Sequence, residues 1–293
     1  MRNDFTLACS SSAIVDGERK ERWIFVPDMD YLVVEGMFFY PLRDHLKENT
    51  DYYQFTPENL CRRFCAKDTV ATDVSKFDRS LSRELIIKAI CHILSCYDLN
   101  HYSPDDRNWQ VRPVKSHDSL NDAALSVYVN LGNSIVNNVM LRDTLPSGSM
   151  FTNVLCALVM YLIFSYYGLE CVTYGDNGLV KFQQVDAQIV VTDIEARFGL
   201  RVKIKYPSHN CFGWHCAYLG KATCCGNGTT FIPNQHIVNI LNKTNHPIDE
   251  VIWCLIQMPE LWPFQVSALS QYAKVPTEVK PWHKRYLNLI YKD

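Results

Sequence analysis

Several common functional signatures are weak or missing in this chain of 293 residues. Its 29 Lys and Arg nearly balance 31 Asp and Glu, for a formal net charge of −2. The whole molecule therefore carries no charge signature of nucleic-acid binding, and any such function must rest on local basic patches. No apolar run follows a basic segment near residue 1, so no secretory leader is predicted.

Twelve cysteines are present at irregular spacing, without a Cys-x-x-Cys pair. This pattern favours free thiols in a reducing compartment over a disulfide scaffold. One alternative is a structural zinc site, whose candidate ligands are His209, Cys211, His215, Cys216, Cys224 and Cys225. Without a Cys-x-x-Cys pair, reduced thiols are the better interpretation.

No apolar run is long enough to cross a membrane. The longest candidate, Met150 to Tyr167, contains Thr152, Asn153 and Ser165, and its uninterrupted part is the 11 residues 154–164. Spanning a bilayer needs roughly 20 residues. The run predicts a buried core helix, consistent with an ordered globular protein of 47% hydrophobic and 20% charged residues.

The stretch 170–182 is the centre of the functional argument. Two β-rich runs flank Gly175-Asp176-Asn177-Gly178, and Asn-Gly favours a tight hairpin because both residues tolerate positive φ. Asp176 is therefore expected at a hairpin tip. By itself, a solvated turn would be the simpler interpretation.

A second acidic stretch contains Asp73 and Asp78, followed by a helix whose apolar residues share one face over 81–94. Asp78 or Ser80 is expected to cap that helix. Asp73 ends a short strand, where a carboxylate is unfavourable, so it needs a partner or a metal ion.

A small-residue loop, Ser147-Gly148-Ser149, runs directly into the apolar helix. Exposed amides at a helix start favour anions or sugar hydroxyls, and glycine permits close approach of a ligand. A plain capped helix start is the alternative.

Two basic stretches complete the set. Alternation places Arg201, Lys203 and Lys205 on one face of a strand. A cluster over 19–22 opens onto the predicted strand 23–27, either along a phosphate path or as a solvated charge run.

In this order, the stretches resemble the palm motifs of viral RNA-dependent RNA polymerases, most of all those of partitivirus-like and picobirnavirus-like viruses, with picornavirus-like relatives second. The matching stretches are Asp73 to Asp78, Pro146 to Thr152, Tyr174 to Asn177, Phe198 to Leu200 with Lys203 or Lys205, and Tyr218 to Lys221, preceded by a basic fingers motif, Arg19 to Ile24.

The resemblance implies an α+β fold: a right-hand palm, with an antiparallel sheet and packed helices, partial fingers and a helical thumb. The implied divisions are 1–69 (partial fingers with the basic motif), 70–98 (palm, first part), 99–145 (fingers insertion), 146–222 (palm, second part) and 223–293 (thumb).

The resemblance also implies RNA-templated RNA synthesis from ribonucleoside triphosphates, with RNA template and nascent strand as partners, in the host cytoplasm or inside a virion. Two Mg²⁺ ions, or Mn²⁺, would be held about 3.5–4 Å apart. Implied metal ligands are Asp73, the main-chain carbonyl of Val74 and Asp176, beside Asn177. Implied nucleotide contacts are Asp78, Ser147, Gly148, Thr152, Arg19, Lys20 and Arg22, and Lys203 or Lys205 would be the general acid.

The sequence departs from the family pattern at two positions. Asn177 stands where most relatives have a second Asp, and a neutral amide binds cations more weakly. Cys156 stands where relatives usually have Asn or Asp to read the ribose, and a thiol is a poor substitute. The chain also has less fingers sequence than most relatives. These departures leave open an RNA-binding remnant with impaired catalysis and, less favoured, a reverse transcriptase.

Overall fold

A computed structural model describes residues 6–15, 18–49, 63–64, 67–102, 112–113, 120–136, 139–141, 144–183, 185–210, 213–215, 217–218, 221–224, 229–232, 234–258, 261 and 263–283. Contacts divide the chain into two compact units, residues 1–54 with 72–204 and residues 55–71 with 205–293. The five-part division proposed from the sequence stays a prediction.

The elements up to residue 205 alternate helices with short strands. In chain order they are β1 (Thr6–Val15), β2 (Glu18–Val26), α1 (Met29–Asn49), β3 (Thr69–Val74), α2 (Phe77–Ser80), α3 (Arg83–Ser95), β4 (His101–Tyr102), β5 (Arg112–Pro113), α4 (Leu120–Gly132), β6 (Ser134–Val136), β7 (Val139–Leu141), α5 (Phe151–Tyr166), β8 (Glu170–Tyr174), β9 (Asn177–Lys181), α6 (Ala187–Phe198) and β10 (Val202–Lys205). Four of these strands form the central sheet, in the order β10, β3, β9, β8.

The long apolar run folds as the predicted core helix. Ten residues of α5 are buried, and the helix supports the hairpin strand β8, where the Thr173 hydroxyl donates to the carbonyl of Ala157 at 2.8 Å. Within the described part of the chain, no helix is long and apolar enough to cross a membrane.

The predicted hairpin is present, but its turn differs from the expected one. Strands β8 and β9 pair antiparallel with Tyr174 opposite Asn177, so the two turn residues are Gly175 and Asp176. Gly175 supplies the positive φ of 62°. Gly178 lies within β9, where a Cβ would come within 2.6 Å of the Thr72 hydroxyl. Asp176 stands at the tip, as predicted.

The helix after Asp78 is also present, with a different cap. Helix α3 buries Ile86, Ala89, Ile90 and Ile93 on one face, as its periodicity predicts. Its N-cap is Ser82, whose hydroxyl accepts a hydrogen bond from the Leu85 amide at 3.3 Å. Asp78 and Ser80 instead belong to the separate short helix α2, so the expected cap was wrong.

Three further helices frame this part of the chain. Helix α1 starts at Met29 and carries Pro41 inside it. Helix α6 starts at Ala187, because Asp186 caps it by accepting from the Gln188 amide at 2.8 Å. Residues 123–131 lie within helix α4.

The elements after residue 205 are short strands followed by helices: β11 (Ser208–Asn210), β12 (Gly213–His215), β13 (Ala217–Tyr218), β14 (Lys221–Cys224), β15 (Thr229–Phe231), α7 (Asn234–Lys243), α8 (Ile248–Leu255) and α9 (Pro263–Ser270). The helices share an apolar core made of Ile232, Ile237, Val251, Leu255, Met258 and Leu261.

Candidate active site

The end of β3 lies beside the tip of the β8–β9 hairpin. The backbone amide of Val74 donates to the carbonyl of Asp176 at 3.0 Å, which joins two stretches about a hundred residues apart. Asp73 is partly exposed and Asp176 is exposed, so both carboxylates can meet solvent and ligands. The fold therefore brings the two predicted metal-binding residues to the same edge of the sheet.

Asp78 belongs to the same neighbourhood. Its carbonyl accepts from the Leu145 amide at 2.7 Å, which ties α2 to the start of the small-residue loop. The buried thiol of Cys156, on α5, lies close enough to Asp78 and Asp176 for both carboxylates to act on it electrostatically. Burial is the main cause that raises the pKa of Cys156, and the two carboxylates raise it further. Asp78 and Asp176 thus lie near the N-terminal half of α5.

The turn that leads from Asp73 to Asp78 has an unusual backbone. Lys76 adopts a left-handed conformation with φ of 52°, the only such non-glycine residue in the described chain. This costs of order 1 kcal/mol or more and is tolerated where surrounding contacts hold the chain. One such contact is the Ser75 amide, which donates to the carbonyl of Arg201 at 3.0 Å.

The small-residue loop contacts strand β2. A Cβ at Gly148 would lie 2.0 Å from the carbonyl oxygen of Phe25, so only glycine fits there. On the other side, the Thr152 hydroxyl donates to the Pro146 carbonyl at 2.6 Å. Ser147 is partly buried beside them. The loop is therefore held between β2 and the first turn of α5.

The structure adds a residue that the sequence analysis missed. Glu35 on α1 is completely buried, and the hydroxyl of Ser149 donates to its Oε1 atom. A detectable signal existed, because Tyr31, Glu35 and Phe38 are spaced to share one helix face, which placed an acid among aromatic residues.

The basic residues occupy two strands. Arg201, Lys203 and Lys205 are exposed and Val202 is buried, as the alternation predicts. β10, which carries Lys203 and Lys205, lies next to β3, whose end bears Asp73.

The second basic group lies on β2. The backbones of Arg19, Lys20 and Arg22 pair with β1, while their side chains lie outside the described part of the structure. Strand β2 later contacts Gly148 through Phe25. The basic group therefore belongs to the strand that touches the small-residue loop.

Comparison with known families identifies the family of the chain. The family model of viral RNA-dependent RNA polymerases matches residues 14–205, well over half of the chain. The chain belongs to this family. The matched region contains every residue of the candidate site, from Arg19 to Lys205.

Solved polymerase structures share the fold. A Sicinivirus 3Dpol RNA-dependent RNA polymerase is 12% identical with a TM-score of 0.64, over 92% of this chain and 62% of that chain. The human picobirnavirus polymerase is 12% identical with a TM-score of 0.59, over 98% of this chain and 55% of that chain. The insertion-loop deletion mutant of that polymerase is 13% identical with a TM-score of 0.60, over 98% of this chain and 57% of that chain. A search of curated proteins found no significant match.

These results confirm the α+β palm and the family predicted from the motifs. The chain spans 55–62% of the length of the solved polymerases that it matches. At this identity the likeness concerns the fold, and the roles of individual residues are proposals.

The donor atoms at the candidate site suit a hard divalent cation. Asp73 and Asp176 offer carboxylate oxygens, and Mg²⁺ in phosphate-transfer sites usually takes one or two carboxylates, with waters and substrate phosphates as further ligands. Among the described residues, no group of three or more His, Cys, Asp or Glu converges as a complete protein-only metal site. The two-carboxylate set fits Mg²⁺, which does not require such a cage.

The alternative zinc site stays a prediction. The side chains of all six candidate ligands, at 209, 211, 215, 216, 224 and 225, lie outside the described residues. The prediction of free thiols holds for the described cysteines, Cys91, Cys96, Cys156, Cys171 and Cys254, none of which forms a disulfide.

The two departures from the family pattern have visible contacts. The Asn177 amide Nδ2 donates to Asp176 Oδ1 at 2.9 Å, so the neutral side chain stabilises the neighbouring charge. Cys156 is buried at 4% exposure, which makes it part of the core beneath the acidic residues.

Proposed function

We propose that this chain carries out RNA-templated RNA synthesis by metal-dependent nucleotidyl transfer and so replicates or transcribes a viral RNA genome. The observation that supports this most directly is the hydrogen bond from the Val74 amide to the Asp176 carbonyl. It sets the first and third palm motifs side by side. The site of action would be the host cytoplasm or the interior of a virion.

Asp73 and Asp176 would hold the divalent cations, with the Val74 carbonyl as an additional oxygen ligand. Bound Mg²⁺, or Mn²⁺ in its place, would activate the attacking 3′-hydroxyl and stabilise the leaving pyrophosphate. The Asn177 amide would orient Asp176 through its hydrogen bond of 2.9 Å.

The residues around the small-residue loop would bind the nucleotide and the template. Asp78, on the short helix α2 that follows β3, would bind the ribose 2′-hydroxyl, a group that both donates and accepts hydrogen bonds. Ser147, Gly148 and Thr152 would position the sugar and the template base. Because Cys156 is buried and weakly polar, discrimination between ribose and deoxyribose would depend mainly on Asp78.

The basic residues would handle the phosphates. Arg19, Lys20 and Arg22 would neutralise the triphosphate along β2. Lys203 or Lys205, both exposed on β10, would donate a proton to the departing pyrophosphate. A strand places such residues on a common face, which suits a single phosphate path.

Primer extension on an RNA template tests this function. The variants Asp73→Ala and Asp176→Ala should each lower ribonucleotide incorporation at least about a hundredfold, the typical cost of losing one transition-state electrostatic group. Asp44→Ala is the matched control, since Asp44 is exposed and pairs with the adjacent Arg43. Undiminished synthesis by either site variant would refute the proposal.

An RNA-binding remnant with impaired catalysis is the second candidate, favoured by Asn177 and Cys156. It predicts RNA binding without incorporation, unaffected by Asp73→Ala. Parallel reactions with deoxyribonucleotides test the less favoured reverse transcriptase, which would prefer them to ribonucleotides.

A further inference from the structure

The buried face of α1 carries a carboxylate that the proposed chemistry does not use. Tyr31 and Glu35 are both at 0% exposure and Phe38 is at 4%. A carboxylate with two aromatic residues on the same helix face pays a large desolvation cost unless hydrogen bonds compensate it. Burial accordingly raises the pKa of Glu35.

The compensating groups all come from the start of α5. The Ser149 hydroxyl donates to Glu35 Oε1, and the backbone amides of Met150 and Phe151 also favour the charged form of the carboxylate. The Phe151 amide donates in turn to the Ser149 hydroxyl at 3.1 Å. Among the described residues, nothing hydrogen-bonds the second oxygen, Oε2, which is also buried.

Apolar contacts join the same two segments. The rings of Phe39 and Phe151 meet edge to face with centroids 5.6 Å apart. A Cβ at Gly36 would lie 3.9 Å from the Met150 sulfur. The carboxylate therefore reaches the end of the small-residue loop where α1 contacts residues 149–151.

We propose that Glu35 is a positioning residue that holds the loop of residues 147–149 in the conformation that receives the incoming nucleotide and the template. The role in nucleotide binding rests on the proposed polymerase function. Gly148 packs against the backbone of β2, and the Thr152 hydroxyl bonds to Pro146 within the same segment. Glu35 joins the loop to a different helix through a charge-assisted hydrogen bond, which is stronger than a neutral one.

Amide hydrogen exchange tests the structural part without any need for activity. In Glu35→Gln, a neutral amide oxygen replaces the carboxylate as the acceptor, so the amides of residues 149–152 should exchange about tenfold faster than in the wild type. Glu84→Gln is the matched control, an exposed acid on α3 paired with Lys88. Unchanged exchange in Glu35→Gln would overturn the proposal.

A second variant guards against misfolding of the first. Ser149→Ala removes the partner hydroxyl with little change in volume and should accelerate exchange at the same amides. If Glu35→Gln fails to fold, unchanged exchange in Ser149→Ala overturns the proposal by itself. Glu35→Asp, which retains the charge, should restore part of the protection.

Steady-state kinetics test the functional part. Glu35→Gln should raise the KM for nucleotide about tenfold while kcat changes less than about threefold, because the loss concerns binding and not the chemical step. The double variant with Ser149→Ala should resemble Ser149→Ala alone, since without the hydroxyl donor the acceptor at residue 35 no longer matters. Equal losses in KM and kcat, or multiplying effects, would contradict positioning through Ser149.

Failure of this inference differs from failure of the proposed function. If wild-type incorporation survives Asp73→Ala, the polymerase assignment fails, and the exchange result still decides whether Glu35 anchors the loop. If Asp73→Ala abolishes incorporation but Glu35→Gln leaves KM and exchange unchanged, only the positioning role fails.

Discussion

At the scale of single residues, Asn177 places a neutral amide next to the carboxylate of Asp176. Asn177→Asp would replace an amide donor 2.9 Å from Asp176 Oδ1 by a second carboxylate. The two charges would repel in the absence of cations and attract them more strongly in their presence. We expect the Mg²⁺ concentration for half-maximal incorporation to fall about tenfold, as a gain in ligand charge predicts.

Titration of incorporation with Mg²⁺, from a sample stripped with a chelator, measures this effect. Asn242→Asp, at an exposed position on α7, adds the same charge elsewhere and serves as the control. An unchanged Mg²⁺ dependence in Asn177→Asp would mean that residue 177 does not face the cations.

Cys156 gives a pH-dependent prediction. Burial, Asp78 and Asp176 all raise the pKa of its thiol, and only the thiolate reacts with alkylating reagents. A raised pKa means that less thiolate is present at every pH below it, so Cys156 should stay unmodified at pH 8. The exposed Cys91 and Cys96 on and after α3 should react under the same native conditions.

Iodoacetamide labelling followed by peptide mass spectrometry provides the measurement. Denatured protein supplies the control, in which all three thiols should react. Labelling of native Cys156 as fast as Cys91 would show that the thiol is accessible and that its surroundings differ from those described.

At the scale of elements, local patterns predicted which segments form helices and strands better than where they end. The hairpin was predicted, yet its turn is Gly175-Asp176 and not Asn177-Gly178. Gly178 is small for a tertiary reason, since a Cβ there would come within 2.6 Å of the Thr72 hydroxyl on β3. A contact between strands a hundred residues apart leaves no local signal.

The candidate site was likewise predicted only where its residues lie in local motifs. The order of motifs predicted that Asp73, Asp78 and the hairpin tip belong together, and the backbone hydrogen bond from Val74 to Asp176 joins the segment of Asp73 to that tip. The spacing of Tyr31, Glu35 and Phe38 indicates a buried acid but not its partner, since Ser149 lies more than a hundred residues later. Residues that act through a distant partner are difficult to detect without the fold.

One element contact after residue 205 gives a stability prediction. The ring of His283 is at 0% exposure, and its Nδ1 accepts from the Lys280 amide at 2.8 Å. The proton must therefore be on Nε2, which lies 2.7 Å from Glu250 Oε2 on α8. Glu250→Ala would leave this buried N–H without an acceptor and should lower the free energy of unfolding by about 1–3 kcal/mol.

Urea unfolding followed by tryptophan fluorescence is a suitable measurement, because Trp253 and Trp282 lie against the His283 ring. Glu250→Gln is the matched control, since its side-chain carbonyl can still accept from Nε2 and the loss should be smaller. Equal losses in both variants would show that the carboxylate charge matters and not the acceptor.

At the scale of the whole molecule, the fold persists while the sequence diverges. The chain is 12–13% identical to the matched polymerases, with TM-scores of 0.59–0.64. The hydrogen bond that joins the two palm motifs is made by backbone atoms of Val74 and Asp176. It therefore does not depend on the side chains at these two positions. Such contacts allow most positions to change while the acidic residues stay together.

The last prediction concerns RNA binding and follows from the net charge of −2. The whole molecule does not attract a polyanion, so binding should depend on local basic residues and fall with salt. For single strands, the logarithmic salt slope is about −0.7 for each phosphate neutralised. If Arg19, Lys20 and Arg22 each neutralise one phosphate, replacing all three by Ala should make the slope shallower by roughly 2 units.

A control triple variant separates local contacts from net charge. Arg43, Lys88 and Arg197 are each paired with an acid on their own helix, so replacing them by Ala removes the same formal charge from sites already neutralised locally. Fluorescence anisotropy with a labelled single-stranded RNA, measured over a range of salt concentrations, should give the control a slope close to the wild type. Equal changes in the two triple variants would instead trace the effect to net charge, and the assignment of β2 as a phosphate path would be lost.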